Sequence, residues 1–214
     1  MDILLTQAKS LLNDAPFSWA VCGGYALDLF LDRTLRTHGD IDICVFEKDR
    51  AAILSYMLEQ DWRVYEFRGQ GKLRPLTAGG SSESGRNLMC LKGDCELVKF
   101  YPCEEEGLLY YQFFHTGMKQ FDYIEFLFNT AQEDHFVFDK KKEIERELSQ
   151  ALLFCDGTPY LAPEIVLLYK ASQADNQDYQ YDFEQTYPYL SSEQKQWFIQ
   201  NLDKWYPDGH CWKR

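Results

Sequence analysis

Long apolar runs are missing from this 214-residue chain: none approaches the roughly 20 residues needed to cross a bilayer. The opening Met1-Asp2-Ile3-Leu4-Leu5 carries an acid where a secretory leader would be basic, so a soluble, untargeted protein is expected. Positive charge is also scarce. Against 34 Asp and Glu there are 22 Lys and Arg, a net charge of −12, and that field repels a phosphate backbone and disfavours nucleic acid as a partner. Ten of the twelve excess negative charges lie beyond residue 100, which either draws a cationic partner there or merely keeps the surface soluble. Cys90, Cys95 and Cys103 lack the Cys-x-x-Cys spacing of thiolate zinc sites. The seven cysteines are odd in number, and Cys22, Cys44 and Cys90 sit in apolar runs as small hydrophobes, which fits a reduced cytoplasm. With only 13 Gly and 7 Pro against 45% hydrophobic residues, the composition excludes a low-complexity or disordered chain.

The periodicity predicts a helix over Ile3 to Leu12, then a buried strand over Ser18 to Cys22 that stops at Gly23-Gly24, and a helix from Tyr25 to Leu31. Asp40 to Phe46 alternates and then turns apolar, as a strand does when its front end is at a site and its back end in a core. A helix over 48–60 and a strand over 62–67 come next. Residues 73–84 read as a loose stretch, mobile at Gly79-Gly80-Ser81-Ser82. Aromatic runs at Asn87 to Lys92, Glu96 to Tyr101, Leu108 to Phe114, Phe121 to Phe128 and His135 to Phe138 predict a largely antiparallel sheet. The segment 68–119 either covers a cleft or enlarges that sheet. Beyond about 140 the pattern turns helical: 142–154, then from Pro163 to Ser172, then from a capping box at Ser191 and Gln194 to Trp205. The expected fold class is α+β, with residues 1–140 as one domain and 141–214 as a helical C-terminal subdomain.

Side chains alternate along a strand, so Asp40 and Asp42 project from one face while Ile41 and Ile43 enter the packing on the other. At about 4 Å and an effective dielectric of about 20, two carboxylates repel by roughly 4 kcal/mol, which calls for a proton or a divalent cation between them. Hard oxygen donors select Mg²⁺ or Mn²⁺. Two solvated acids at a strand end are the alternative. Gly23 and Gly24, between a strand and a helix, either form a tight structural turn or offer backbone amides and the positive end of a helix dipole to a phosphate. A third acid would complete a two-metal arrangement. Glu125 is the candidate, because its apolar run makes an unpartnered carboxylate expensive, whereas Asp122 on the opposite face reads as solvated. Arg36 suits bidentate contact with phosphate oxygens, or bridges to Asp32 or Asp28. His38 hydrogen-bonds a phosphate, orients the Asp40 strand, or is a turn residue without a role. Lys170 reaches for phosphates or simply suits a helix C-terminus, and Glu164 suits a helix start.

The run Trp19-Ala20-Val21-Cys22-Gly23-Gly24-Tyr25-Ala26-Leu27-Asp28, continued by Thr34-Leu35-Arg36-Thr37-His38-Gly39-Asp40-Ile41-Asp42, resembles the nucleotidyltransferase domain of aminoglycoside and lincosamide nucleotidyltransferases. These belong to the polymerase-beta-like superfamily. Asp156-Gly157-Thr158-Pro159-Tyr160-Leu161-Ala162-Pro163-Glu164 and Pro207-Asp208-Gly209-His210-Cys211-Trp212 are similar to uncharacterised relatives of that group. The resemblance implies a nucleotidyltransferase fold, a mixed sheet flanked by helices. It implies Gly23 and Gly24 at the triphosphate, Arg36, His38 and Lys170 around the nucleotide, two Mg²⁺ ions on Asp40 and Asp42, and Glu125 at the third carboxylate position, more often Asp in that family. The implied reaction moves AMP from ATP, or another NMP from its NTP, to a hydroxyl of a small acceptor, with release of pyrophosphate. An acidic second half with Tyr110, Tyr111, Phe113, Tyr179 and Tyr181 would suit a cationic, aminoglycoside-like acceptor. A tRNA or protein acceptor, or an inactive nucleotide-binding relative, are the alternatives.

Overall fold

The computed structural model describes residues 2–93, 95, 98–115 and 121–213. In chain order its elements are α1 (Ile3–Leu12), β1 (Trp19–Val21), α2 (Gly23–Leu31), β2 (Asp42–Phe46), α3 (Arg50–Glu59), β3 (Trp62–Gly69), β4 (Lys72–Leu76), β5 (Leu88–Lys92), β6 (Val98–Glu105) and β7 (Leu108–His115). They continue with β8 (Tyr123–Gln132), β9 (His135–Val137), β10 (Glu145–Glu147), α4 (Leu148–Ala151), β11 (Leu152–Cys155), β12 (Thr158–Leu161), α5 (Pro163–Lys170), α6 (Gln177–Thr186) and α7 (Ser192–Trp205). Glu96 and Leu97 of the expected strand lie outside the described residues. No helix among the described residues is long and apolar enough to cross a membrane.

Two compact units result, each drawn from two stretches of chain: Met1–Trp19 with His38–Asn129, and Ala20–Thr37 with Thr130–Arg214. They are discontinuous in sequence, whereas the division expected at residue 140 is contiguous. In the first unit the sheet runs β2-β8-β5-β3-β4-β7-β6. β2 and β8 are parallel, and the remaining neighbours are antiparallel. The segment 68–119 therefore enlarges the sheet through β4, β6 and β7. On one face of this sheet Phe126 of β8 meets Phe17, which also packs edge-on against Tyr56 of α3. The Tyr56 hydroxyl donates to the Leu11 carbonyl at 2.6 Å, tying α3 to α1.

The stretch expected to be loose is in part a strand, β4, paired with β3 across a turn in which Gln70 and Gly71 both take positive φ. Residues 81–85, beyond β4, are pinned by two acids. Glu66, with no exposed surface, accepts from the Glu83 N–H, the Ser82 hydroxyl, Arg68 and Arg74. Glu47 accepts from the Gly85 N–H, Ser84 and Arg50, whose guanidinium also reaches Ser82 and covers the Phe128 ring. Burial alone would raise both carboxyls, but these donors outweigh it and hold each below the ordinary carboxylate range. Acids held low stabilise the fold above that range, and the contribution is withdrawn as pH falls through it. Glu66→Ala, which strands Arg68 and Arg74, is expected to cost about 3 kcal/mol in urea unfolding at neutral pH and less at pH 3.

In the second unit β12 pairs antiparallel with β11 and parallel with β1, and β9 bridges β10 and the end of β8. The helix expected over 142–154 is overturned: only Leu148–Ala151 is helical, flanked by β10 and β11. Ile144, Leu148 and Ala151 do recur at helical spacing. They are outweighed by Asp156-Gly157, both at positive φ, which closes the β11–β12 hairpin in the manner of a primed turn. Pro163 opens α5 as expected, and α7 begins with the Ser191–Gln194 capping box. Glu164, fully buried, pairs with Arg146 at 3.0 Å and accepts from Gln194 at 2.8 Å, a structural clasp between α5 and α7. The Trp212 indole stacks on Phe183 of α6 at 4.4 Å and donates to Gln180.

Candidate active site

Each unit carries a group of functional side chains. In the first, β2 and β8 run parallel with Asp42 directly opposite Glu125, and the Glu125 N–H donates to the Ile41 carbonyl at 3.0 Å. Neighbouring strands lie about 4.8 Å apart, so the two carboxylates rise side by side from one sheet face. Asp40, two residues earlier, shares that face. The Glu125 carboxyl is pushed well above the ordinary range, first by burial, then by the charges of Asp42 and Asp40. Its Oε1 accepts from the hydroxyl of Tyr123, itself almost wholly buried, two residues back along β8. On the neighbouring strand β5, burial and the charge of Glu125 together push the buried Cys90 thiol well up, which leaves it unreactive. Asp122 is not solvated as expected but 2% exposed, because β8 begins only at Tyr123 and Phe121 turns in against Trp62. His38 is buried at 6% exposure.

A carboxyl driven upward by two neighbouring carboxylates is chemically a seat for a proton or a hard cation. The donor set fits magnesium in kind: three oxygen acids, no thiolate and no accessible imidazole. As they stand, no three His, Cys, Asp or Glu side chains among the described residues close around a single cation. Glu125 is turned to Tyr123 instead, so ion binding would require its carboxylate to rotate.

In the second unit α2 begins at Gly23, whose φ of 61° is open to glycine at little cost, and Cys22 supplies no side-chain cap to the amides there. The buried Asp28 accepts from the Leu35 N–H at 3.0 Å and fixes the loop that leads to Arg36. Arg36 bridges to neither Asp28 nor Asp32. Its Nε and Nη2 each donate at 3.1 Å to the two oxygens of Asp182, while Asp178 lies 3.6 Å from Nη1. Lys170, at the end of α5, places its Nζ 3.0 Å from Asp182 Oδ2 and 4.0 Å from the centre of the Tyr179 ring. Arg36 and Lys170, two separate expectations from the sequence, thus meet on one buried acid. Sequence reasoning gave no role to Asp182 or Tyr123. For Tyr123 the signal was available, since a tyrosine two residues from an acid on a strand shares its face; for Asp182, on a helix not foreseen, there was none.

Residues 4–72 match the family model described as aminoglycoside-2''-adenylyltransferase, and the resemblance read from the sequence is shared there. Over 96% of this chain and 99% of the other, at 11% identity and a TM-score of 0.59, the fold matches the crystal structure of ANT(2'')-Ia in complex with adenylyl-2''-tobramycin. The solution structure of the same antibiotic-resistance factor gives 12% identity, 96% and 92% coverage and a TM-score of 0.57. The lincosamide antibiotic adenylyltransferase LnuA, bound to lincomycin, is similar at 11% identity, 96% and 98% coverage and a TM-score of 0.48. No curated protein sequence matches significantly. At such identities the likeness establishes the fold: α+β, of the nucleotidyltransferase type.

Proposed function

We propose that the chain is a nucleotidyltransferase that moves a nucleoside monophosphate, AMP from ATP, to a hydroxyl of a small cationic acceptor of the aminoglycoside type. The observation that carries the reading is the pairing of Asp42 with Glu125 across parallel strands, with Asp40 close enough to add to the repulsion. Asp40, Asp42 and Glu125 would hold magnesium, which supplies charge neutralisation at the phosphate oxygens when bound. Glu125, with its upward-shifted carboxyl, is also suited to take the acceptor hydroxyl's proton near neutral pH. The acceptor oxygen bonds to the alpha phosphorus, the bond from that phosphorus to the bridging oxygen breaks, and pyrophosphate leaves. Gly23 and Gly24 offer amides to the phosphate chain, and Arg36 and Lys170 offer cations. No side chain is needed as a covalent nucleophile, because positioning and charge stabilisation dominate such transfers. The match of residues 4–72 to an adenylyltransferase family supports adenylate as the group moved.

Purified protein with Mg²⁺, ATP and tobramycin is expected to release pyrophosphate and to yield a product heavier by one adenylate in mass spectrometry. Silence across a panel of aminoglycosides, lincosamides and other polyhydroxy amines, with each of the four ribonucleoside triphosphates, would sink the small-acceptor reading.

A further inference from the structure

Asp182 is fully buried, yet it faces two cations: Arg36, whose side chain is 21% exposed, and Lys170, at 8%. A carboxylate that served only to join helices would need one partner. Here the three charges sum to +1, on side chains largely withdrawn from water, and such an excess is costly unless something offsets it. Two offsets are visible. Asp178 stands 3.6 Å from Arg36, but it is 66% exposed and its charge is screened accordingly. The negative end of the α5 dipole favours Lys170, and the Tyr179 ring beneath the ammonium adds a further attraction. Neither of these is a buried second anion.

Geometry also fixes the pair. Side-on, bidentate contact holds the plane of the Arg36 guanidinium, and the second lone-pair region of Asp182 Oδ2 receives the Lys170 ammonium. Long cationic side chains lose considerable rotamer freedom when they bind an anion, and here that cost is met on folding. We infer that Asp182 is a positioning residue that holds Arg36 and Lys170 together as one preset cationic seat for the phosphate chain of the donor nucleotide. The inference rests on the nucleotidyltransferase reading. Without Asp182 the two cations repel each other, the Lys170 ammonium loses its buried partner, and the seat disperses even though the local net charge becomes more positive.

Positioning and simple charge counting therefore predict opposite results. Calorimetry with inorganic tripolyphosphate, without added metal, reads the cationic seat independently of the carboxylates of the first unit. Asp182→Asn keeps the shape and one acceptor; it is expected to weaken binding about tenfold, a change of about 1.4 kcal/mol. Phe183→Leu, which loosens the same helix and leaves the charges in place, is expected to lower Tm by a similar amount with binding changed less than about twofold. If Asp182→Asn binds tripolyphosphate as well as or better than the unaltered protein, as charge counting predicts, the inference is overturned while the function stands. If the unaltered protein binds neither tripolyphosphate nor ATP with Mg²⁺, the donor-nucleotide reading falls and takes this one with it. Should Asp182→Asn fail to fold, Asp182→Glu serves. It keeps all charges and displaces the carboxylate by one methylene, and unchanged affinity there overturns the inference equally.

Discussion

Glu125→Gln is expected to abolish pyrophosphate release and at the same time to make the protein harder to unfold. The first effect follows from the loss of a group that binds charge or takes a proton, and is expected to be about 10²- to 10⁴-fold in kcat. The second follows from the repulsion the native protein tolerates. Burial, Asp42 and Asp40 all disfavour the ionised Glu125 carboxylate, so its affinity for protons is higher folded than unfolded. A native state that binds more protons than the unfolded chain loses stability as pH rises. That loss begins above the ordinary carboxylate range and continues until the raised carboxyl has ionised. The glutamine variant lacks the titration, so its advantage should grow between about pH 5 and 8. For a chain of this size each kcal/mol gained moves Tm by about 2–4 °C, which is readily measured in chelator-containing buffer. A variant less stable than the parent at pH 8 would show that Glu125 is instead tied into a favourable network.

Asp42→Asn is the companion prediction. Asp42 lies opposite Glu125 in the ladder and is the stronger of the two charges acting on it. Its amide should bring the Glu125 carboxyl back toward the ordinary range and raise Tm slightly. Turnover should fall about a thousandfold, since a fixed electrostatic element of the transition state has been removed. Tripolyphosphate binding in the absence of metal should be untouched, because the cations sit in the other unit. Retention of more than a tenth of the pyrophosphate release rate would place the chemistry elsewhere.

Legibility in the sequence tracked how local the determining interaction was. β2 and the Asp42 face were readable because alternation is a property of five consecutive residues. Glu125 was readable because an acid in an apolar run demands a partner, although the register that sets it opposite Asp42 involves residues more than eighty positions apart. The β10–α4–β11 segment was misread for the opposite reason. Its apolar spacing satisfied a helix, and the turn at Asp156-Gly157 that decides the matter lies just beyond it. The partner of Arg36 and Lys170 was out of reach: Asp182 is one acid among many in an acidic stretch, and its burial depends on α6, whose weakly apolar sequence carries little periodicity.

The stacking of Trp212 on Phe183 has a bearing on biosynthesis. The second unit assembles from residues 20–37, made early, and from a core completed only when residue 212 has been synthesised. Domains commonly mature in the order in which they emerge from the ribosome, but here an early segment must wait for a late one. During that interval the apolar face of α2 is unshielded, which makes nascent chains arrested before residue 212 natural clients for chaperones.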